Sequence, residues 1–186
     1  FIESKVNIKI HKVNLGLYES LNFAYQRLNS EYTLVLHSDD YLKSKDSLFQ
    51  IFNFIKKKNN PDALYSNLKI FRGDKIIRNW ISGEIKKKKI MYGWMPPHPT
   101  LVIKSEIISC KRLIYDTKYK ISADYDFFLN LYLNYNIKFT YFNYHYYMMR
   151  IGGVSSKNIK SQIIKLNEDR IICKIHNLPI YSFLLK

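Results

Sequence analysis

The chain is short of acid. Its 186 residues carry 15 Asp and Glu against 30 Lys and Arg, a formal net charge of +15. Such a surface favours anionic partners: nucleic acid, anionic lipid head groups or phosphate-bearing substrates. Cysteine is scarcer still. Cys110 and Cys173 lie far apart and form no CxxC pair, so neither a zinc site of the usual kind nor a disulfide framework is expected. No apolar run reaches the roughly 18 residues of a membrane-spanning helix. Helix-turn-helix, RRM and zinc-finger patterns, internal repeats and low-complexity linkers are also lacking. The chain does have 47% hydrophobic residues, with 16 Tyr and 11 Phe, which supplies a sizeable core and argues against disorder. Lysines cluster at 56–58 and 86–89. Most short lysine runs are solvated faces.

Periodicity divides the chain. Residues 6–10 alternate with period two and predict a short strand. Leu17, Leu21, Ala24, Tyr25 and Leu28 recur at helical spacing. A strand is predicted over residues 32–36 and a helix through Leu48, Ile51, Phe52 and Ile55, stopped by Asn59-Asn60-Pro61. Residues 63–71 read as a strand and 72–75 as a hairpin turn. This strand–helix alternation predicts an α/β sheet with mostly parallel core strands. Residues 76–95 are basic and irregular and are expected to form a surface excursion. Residues 96–99 force extended backbone. A strand over 100–103 and a short helix over 105–110 follow. Ser122 is a suitable N-cap for a helix through Asn134, with Phe127, Phe128, Leu131 and Tyr135 facing inward. Residues 137–149 read as a Tyr-rich strand, broken by Gly152-Gly153. Residues 159–175 predict a basic amphipathic helix.

The strand at 32–36 ends in His37-Ser38-Asp39-Asp40. Two readings stand. The residues form a turn and cap the helix expected to begin near Ser44, or the paired carboxylates hold a hard divalent cation that in turn holds a diphosphate.

Three segments in order resemble the family-2 glycosyltransferases, the inverting GT-A type of bacterial polysaccharide synthesis. They are residues 15–22 (Leu-Gly-Leu-Tyr-Glu-Ser-Leu-Asn), residues 36–40 (Leu-His-Ser-Asp-Asp), similar to the DxD-type metal motif, and residues 122–126 (Ser-Ala-Asp-Tyr-Asp), similar to the segment of the catalytic base. Residues 97–100 and 152–156 are similar to further family elements. His37 stands where the family often has Asp or Asn, and Ala123 where many members have Glu. The resemblance implies a GT-A-like (Rossmann-like) mixed sheet flanked by helices. Residues 1–156 would be a partial GT-A domain, and 157–186 a C-terminal basic helical segment. The family's first, nucleotide-binding strand is expected to precede Phe1.

What the resemblance implies about chemistry is specific. Asp39 and Asp40 would hold Mn²⁺ or Mg²⁺ against the leaving diphosphate, and Asp124 would deprotonate the acceptor hydroxyl. His98, Asp126, Gly152, Gly153, Glu19 and Asn22 are candidates to contact substrate. The partners would be a nucleotide-sugar donor and a saccharide or lipid-linked acceptor, with peripheral contact to an anionic membrane from the cytoplasmic side and no nucleic acid. Blander readings stand beside these. Asp124 is also an ordinary helix-start acid, His98 an ordinary satisfied histidine, and Gly152-Gly153 an ordinary turn. A basic nucleic-acid-binding module or a non-catalytic glycosyltransferase remnant are the rival functions.

Overall fold

The computed structural model describes residues 7–111, 113–152 and 159–184. In chain order they form α1 (Leu17–Tyr25), β1 (Tyr32–Leu34), β2 (Tyr41–Leu42), α2 (Ser47–Lys57), β3 (Ala63–Arg72), β4 (Lys75–Trp80), α3 (Lys87–Met91), β5 (Val102–Lys104), α4 (Ser105–Cys110), α5 (Ala123–Leu129), β6 (Phe139–Arg150) and α6 (Ile159–Ile175). A π-helical turn, Asn130–Asn134, prolongs α5, and 3-10 turns occupy His98–Thr100 and Ile180–Phe183.

β3 is the axis of the sheet because both of its faces are apolar. Ala63 and Tyr65 enter one core, while Leu64, Leu68 and Ile70 enter the other. α2 covers the second core through Ile51 and Ile55. The first core collects α4, α5 and α6 through Ile107, Ile108, Phe127, Phe128, Leu131, Ile172 and Cys173. Fully burying a Leu or Phe side chain contributes about 1.5–3 kcal/mol. The run Phe127-Phe128-Leu129, at most 1% exposed, therefore fixes α5 firmly against the sheet.

The strand order is β1–β5–β3–β6–β2, with β4 also paired to β3. The sheet is mixed. β1, β3 and β6 share a direction, as the strand–helix alternation predicts, and β3 and β6 pair in parallel. The other pairings are antiparallel: β5 inserts between β1 and β3 and runs against both, β2 runs against β6, and β4 runs against β3. The expectation of a mostly parallel core is thereby corrected, with β3–β6 the one parallel pairing among the described strands. Between β3 and β6 the register shifts: Ser66 stands opposite Phe142, but Leu68 stands opposite Tyr147. At the shift, Asn67 binds the side chain of Asn143 and accepts from Tyr141 Oη and the Ser82 amide.

Several local expectations change. Residues 7–10 form no strand; Ile8 and Ile10 are over 80% exposed, and no described strand pairs with them. Residues 76–95 are not an irregular excursion, since they hold β4 and α3 and bury Ile90 and Met95. Tyr135 is 38% exposed rather than inward. In α6 the faces are reversed: Glu168 and Asp169 are buried beside Ile172 and Cys173, while Ile163, Ile164, Leu166, Ile171 and Ile175 face solvent. Among the described residues no helix is long and apolar enough to cross a membrane.

Candidate active site

The end of β1, the start of α1, the Pro96–Pro99 segment, the start of α5 and the end of β6 meet around a cleft of about 1020 Å³. Asp39, Asp40, His98, Asp124 and Gly152 all line it. A smaller hollow of about 420 Å³ is lined, among the described residues, by Tyr25, Gln26, Ile108, Ser109, Leu113 and Ile114.

The acidic loop turns tightly after β1, the Asp40 amide donating to the His37 carbonyl at 3.1 Å. Asp40 is then spent on the loop's own anchorage. Tyr147 Oη donates to its Oδ2 at 2.9 Å, and the Arg150 amide donates to its Oδ1 at 2.8 Å. The His37 amide donates to the same Tyr147 hydroxyl at 3.1 Å. Burial raises the Asp40 pKa, the two hydrogen bonds oppose that rise, and the charge of Asp39 adds to it. Asp39 is exposed, and among the described residues no hydrogen bond or ion pair engages its carboxylate. Neither residue caps α2, which starts at Ser47 with Asp46 at its N-cap.

Asp124 is half-buried in the first turn of α5, its Oδ1 accepting from the Tyr125 amide at 2.8 Å. Two residues further, Asp126 faces the other way, since two steps along a helix turn a side chain by roughly 200°. It accepts from Asn130 Nδ2 at 3.0 Å and lies 2.9 Å from His176 Nε2, and it does not line the cleft. His98 enters the wall on its 3-10 turn. Its Nε2 lies 2.7 Å from Tyr115 Oη, which lies 2.9 Å from Tyr25 Oη. Burial lowers the His98 pKa, the Asp124 charge pulls it back, and His37 pushes it down further. The ring is therefore neutral near pH 7, with one donor and one acceptor nitrogen.

The remaining candidates divide. Gly152 lines the cleft at φ +120°, a conformation that L side chains rarely adopt, although an added Cβ would meet nothing within 4 Å. Gly153 lies outside the described residues. Glu19 is exposed on α1 and away from the lining. Asn22 is turned to the Tyr115 backbone, donating to its carbonyl at 2.8 Å and accepting from its amide at 2.7 Å. It fastens α1 to the segment before α5.

Sequence reasoning missed the cleft's cations, Arg78 on β4 and Arg150 at the end of β6. Arg150 stands two positions before Gly152, between two segments already singled out, so a signal existed. Tyr147 had none, being one of many tyrosines on its strand. Lining the same cleft as Asp39, the two arginines give its wall both signs of charge, suited to a phosphate-bearing ligand with or without a cation. Among the described residues no group of three or more His, Cys, Asp and Glu is placed to hold a metal. One free carboxylate does fit the loose binding of Mg²⁺ or Mn²⁺, in which waters and substrate phosphates complete the shell.

No family model and no curated protein matches the sequence. Solved structures do match. The chain resembles residues 1–349 of the glycosyltransferase TarS from S. aureus in complex with UDP, with a TM-score of 0.60 at 18% identity. That match covers 90% of this chain and 48% of TarS 1–349. TarS 1–349 in complex with UDP-GlcNAc gives a TM-score of 0.61 at 18% identity, over 90% of this chain and 50% of the other. A further S. aureus TarS structure gives 0.61 at 20% identity, over 91% of this chain and 29% of the other. The chain thus spans half or less of the structures it matches, and over that span it shares their mixed α/β fold.

Proposed function

We propose that the chain transfers a sugar, with inversion, from a nucleotide-diphosphate sugar to a saccharide or lipid-linked acceptor, in the making of bacterial surface polysaccharide. One observation carries this reading. Asp39 and Asp124, 85 positions apart, line one cleft in a fold shared with structures that hold UDP and UDP-GlcNAc.

Asp124 is the proposed base. It is the carboxylate left to the cleft at the start of α5, whereas Asp126 is committed to His176 and Asn130. Asp39 is the proposed ligand of a divalent cation, and Asp40 holds the loop that presents it. A bound Mn²⁺ or Mg²⁺ would neutralise charge on the departing diphosphate. Arg78 and Arg150 offer charge-assisted hydrogen bonds to phosphate oxygens, and neutral His98 offers one more donor. The Pro96-Pro97 wall and Trp80 supply apolar surface for a sugar ring. Place of action follows from charge. The exposed charged residues of α6, Lys160, Arg170 and Lys174, are all cations and alternate with its exposed isoleucines. That combination suits an anionic membrane surface, where a lipid-linked acceptor lies.

The test is calorimetric titration of UDP and of GDP into the protein with and without Mn²⁺, alongside a transfer assay with UDP-sugars. The reading expects Mn²⁺ to tighten nucleotide binding and Asp39→Ala to remove that gain. Metal-indifferent binding that survives Asp39→Ala overturns the assigned role of the acidic loop.

A further inference from the structure

α5 begins in an unusual way. Its N-cap residue, Ser122, makes no side-chain cap bond, and among the described residues its buried Oγ has no partner. The carboxylate of Glu168, from the middle of α6, does the work instead. Its Oε1 accepts from the Lys120 amide at 2.7 Å, and its Oε2 accepts from the amides of Ile121 and Ser122, each at 2.9 Å. Glu168 is itself buried, at 8% exposure. On the other side of the same strand of backbone, Tyr18 Oη donates to the Ile121 carbonyl at 2.6 Å, and Tyr18 lines the cleft. The Ile121 residue is thus gripped at its N–H from α6 and at its C=O from α1. Asp124 follows three residues later.

We infer that Glu168 is a positioning residue for Asp124: it fixes residues 120–122 from behind the cleft, and so sets where the Asp124 carboxylate stands. The inference rests on the proposed role of Asp124 as base. Three amides on one buried carboxylate make charge-assisted bonds that hold a backbone path more narrowly than a serine cap does. Narrow placement matters because a shift of about 1 Å at a reacting group can cost on the order of 10²-fold in rate. It also accounts for the reversed faces of α6. Glu168 points inward because three backbone donors await it there. The helix is held in that rotation by the contact between His176 and Asp126 and by the contact between Tyr125 Oη and Cys173 Sγ at 3.7 Å.

Glu168→Gln tests the inference, since it keeps the shape and exchanges one accepting oxygen for an NH₂ group that cannot accept. The expected result is roughly a tenfold fall in kcat for transfer from a UDP-sugar, with the donor KM unchanged. Backbone amide exchange should quicken at residues 120–122 while β3 keeps its protection, and the ¹³C carboxyl signal of Asp124 should move. Glu168→Asp should recover part of kcat, and Tyr18→Phe, which frees the Ile121 carbonyl, should lower kcat in the same direction even if a Glu168 variant folds poorly. Unchanged exchange at 120–122 overturns the inference. So does faster exchange with the Asp124 signal and kcat unmoved, which would make Glu168 a fastener of the fold alone. If the native protein transfers no sugar, yet Glu168→Gln shifts exchange and the Asp124 signal, the proposed function fails and the positioning role stands.

Discussion

The cleft is built from two acidic segments that solve one problem differently. In the loop after β1 the two carboxylates are adjacent: Asp39 is left to the cleft, and Asp40 is tied to β6 by Tyr147 and the Arg150 amide. At the start of α5 the two are two positions apart: Asp124 is left to the cleft, and Asp126 is tied inward to His176 and Asn130. Each segment spends one acid on structure to present the other. In the loop the structural acid follows immediately, and it still borders the cleft while its oxygens are taken by Tyr147 and the Arg150 amide. In the helix the structural acid needs a gap of two, because helical geometry imposes the reversal. Paired acids in a sequence are therefore not evidence of paired ligands.

The comparison breaks most readily at α5. Asp124→Asn keeps shape and removes basicity, and turnover should fall by roughly 10²-fold or more with donor affinity intact. Asp126→Asn should retain turnover per folded molecule but lower the melting temperature. If Asp126→Asn abolishes transfer at an unchanged melting temperature while Asp124→Asn is active, the two roles are exchanged.

In the acidic loop the split is smaller. Asp39→Ala should remove the Mn²⁺-dependent gain in UDP affinity and leave stability alone. Asp40→Ala should leave the Tyr147 hydroxyl and the Arg150 amide without their partner, at roughly 1–3 kcal/mol. Denaturant unfolding and calorimetry on both variants read the two effects separately. Equal losses of affinity and stability in both would show that the acids share one task.

A third, milder effect is pH-dependent. His98 has its pKa lowered from the ordinary 6.5. A lowered imidazole pKa means that the folded state resists protonation. The stabilisation is then complete above 6.5 and is lost as pH falls through the folded value. His98→Gln should flatten the loss of stability below pH 6.5. His145, also lowered by burial, contributes to the native curve but not to the difference between the two proteins. Identical slopes would show that His98 is as solvated folded as unfolded.

The smallest effect concerns location. Co-sedimentation with anionic vesicles should exceed that with neutral vesicles and fade with salt, because each surface cation contributes on the order of 1 kcal/mol near such a membrane. Replacing Lys160, Arg170 and Lys174 by Gln should weaken it. Equal, salt-insensitive binding to both vesicles refutes attachment by charge.

Much of this was legible, and the limits have physical causes. α4 and α6 fall on their predicted residues, β3 ends one residue beyond its prediction and α2 begins three residues after the expected Ser44, because each carries an apolar period bounded by a clear stop. For α2 the stop is Asn59 and Asn60, both at φ 54°. The insertion of β5 was not legible, since periodicity describes a strand and says nothing about its neighbours. Residues 7–10 carry the alternation of a strand but have no described partner, and alternation cannot supply one. The cleft's ends were legible as short motifs. Its anchors were not: Tyr147, His176 and Glu168 lie 107, 50 and 46 positions from the groups they hold. Nothing local in their own segments marks them.

The register shift between β3 and β6 makes one stretch of chain sensitive to its length rather than its composition. Two steps of β3, from Ser66 to Leu68, are matched by five of β6, from Phe142 to Tyr147. Losing or gaining a single residue between 143 and 146 would shift Tyr147 out of its place opposite Leu68 and release Asp40, and with it the loop that carries Asp39. Point substitutions there should be tolerated wherever the hydrogen bonds of Asn67 survive. Indels should not be, so that in variant libraries this segment would be permissive in letters and strict in number.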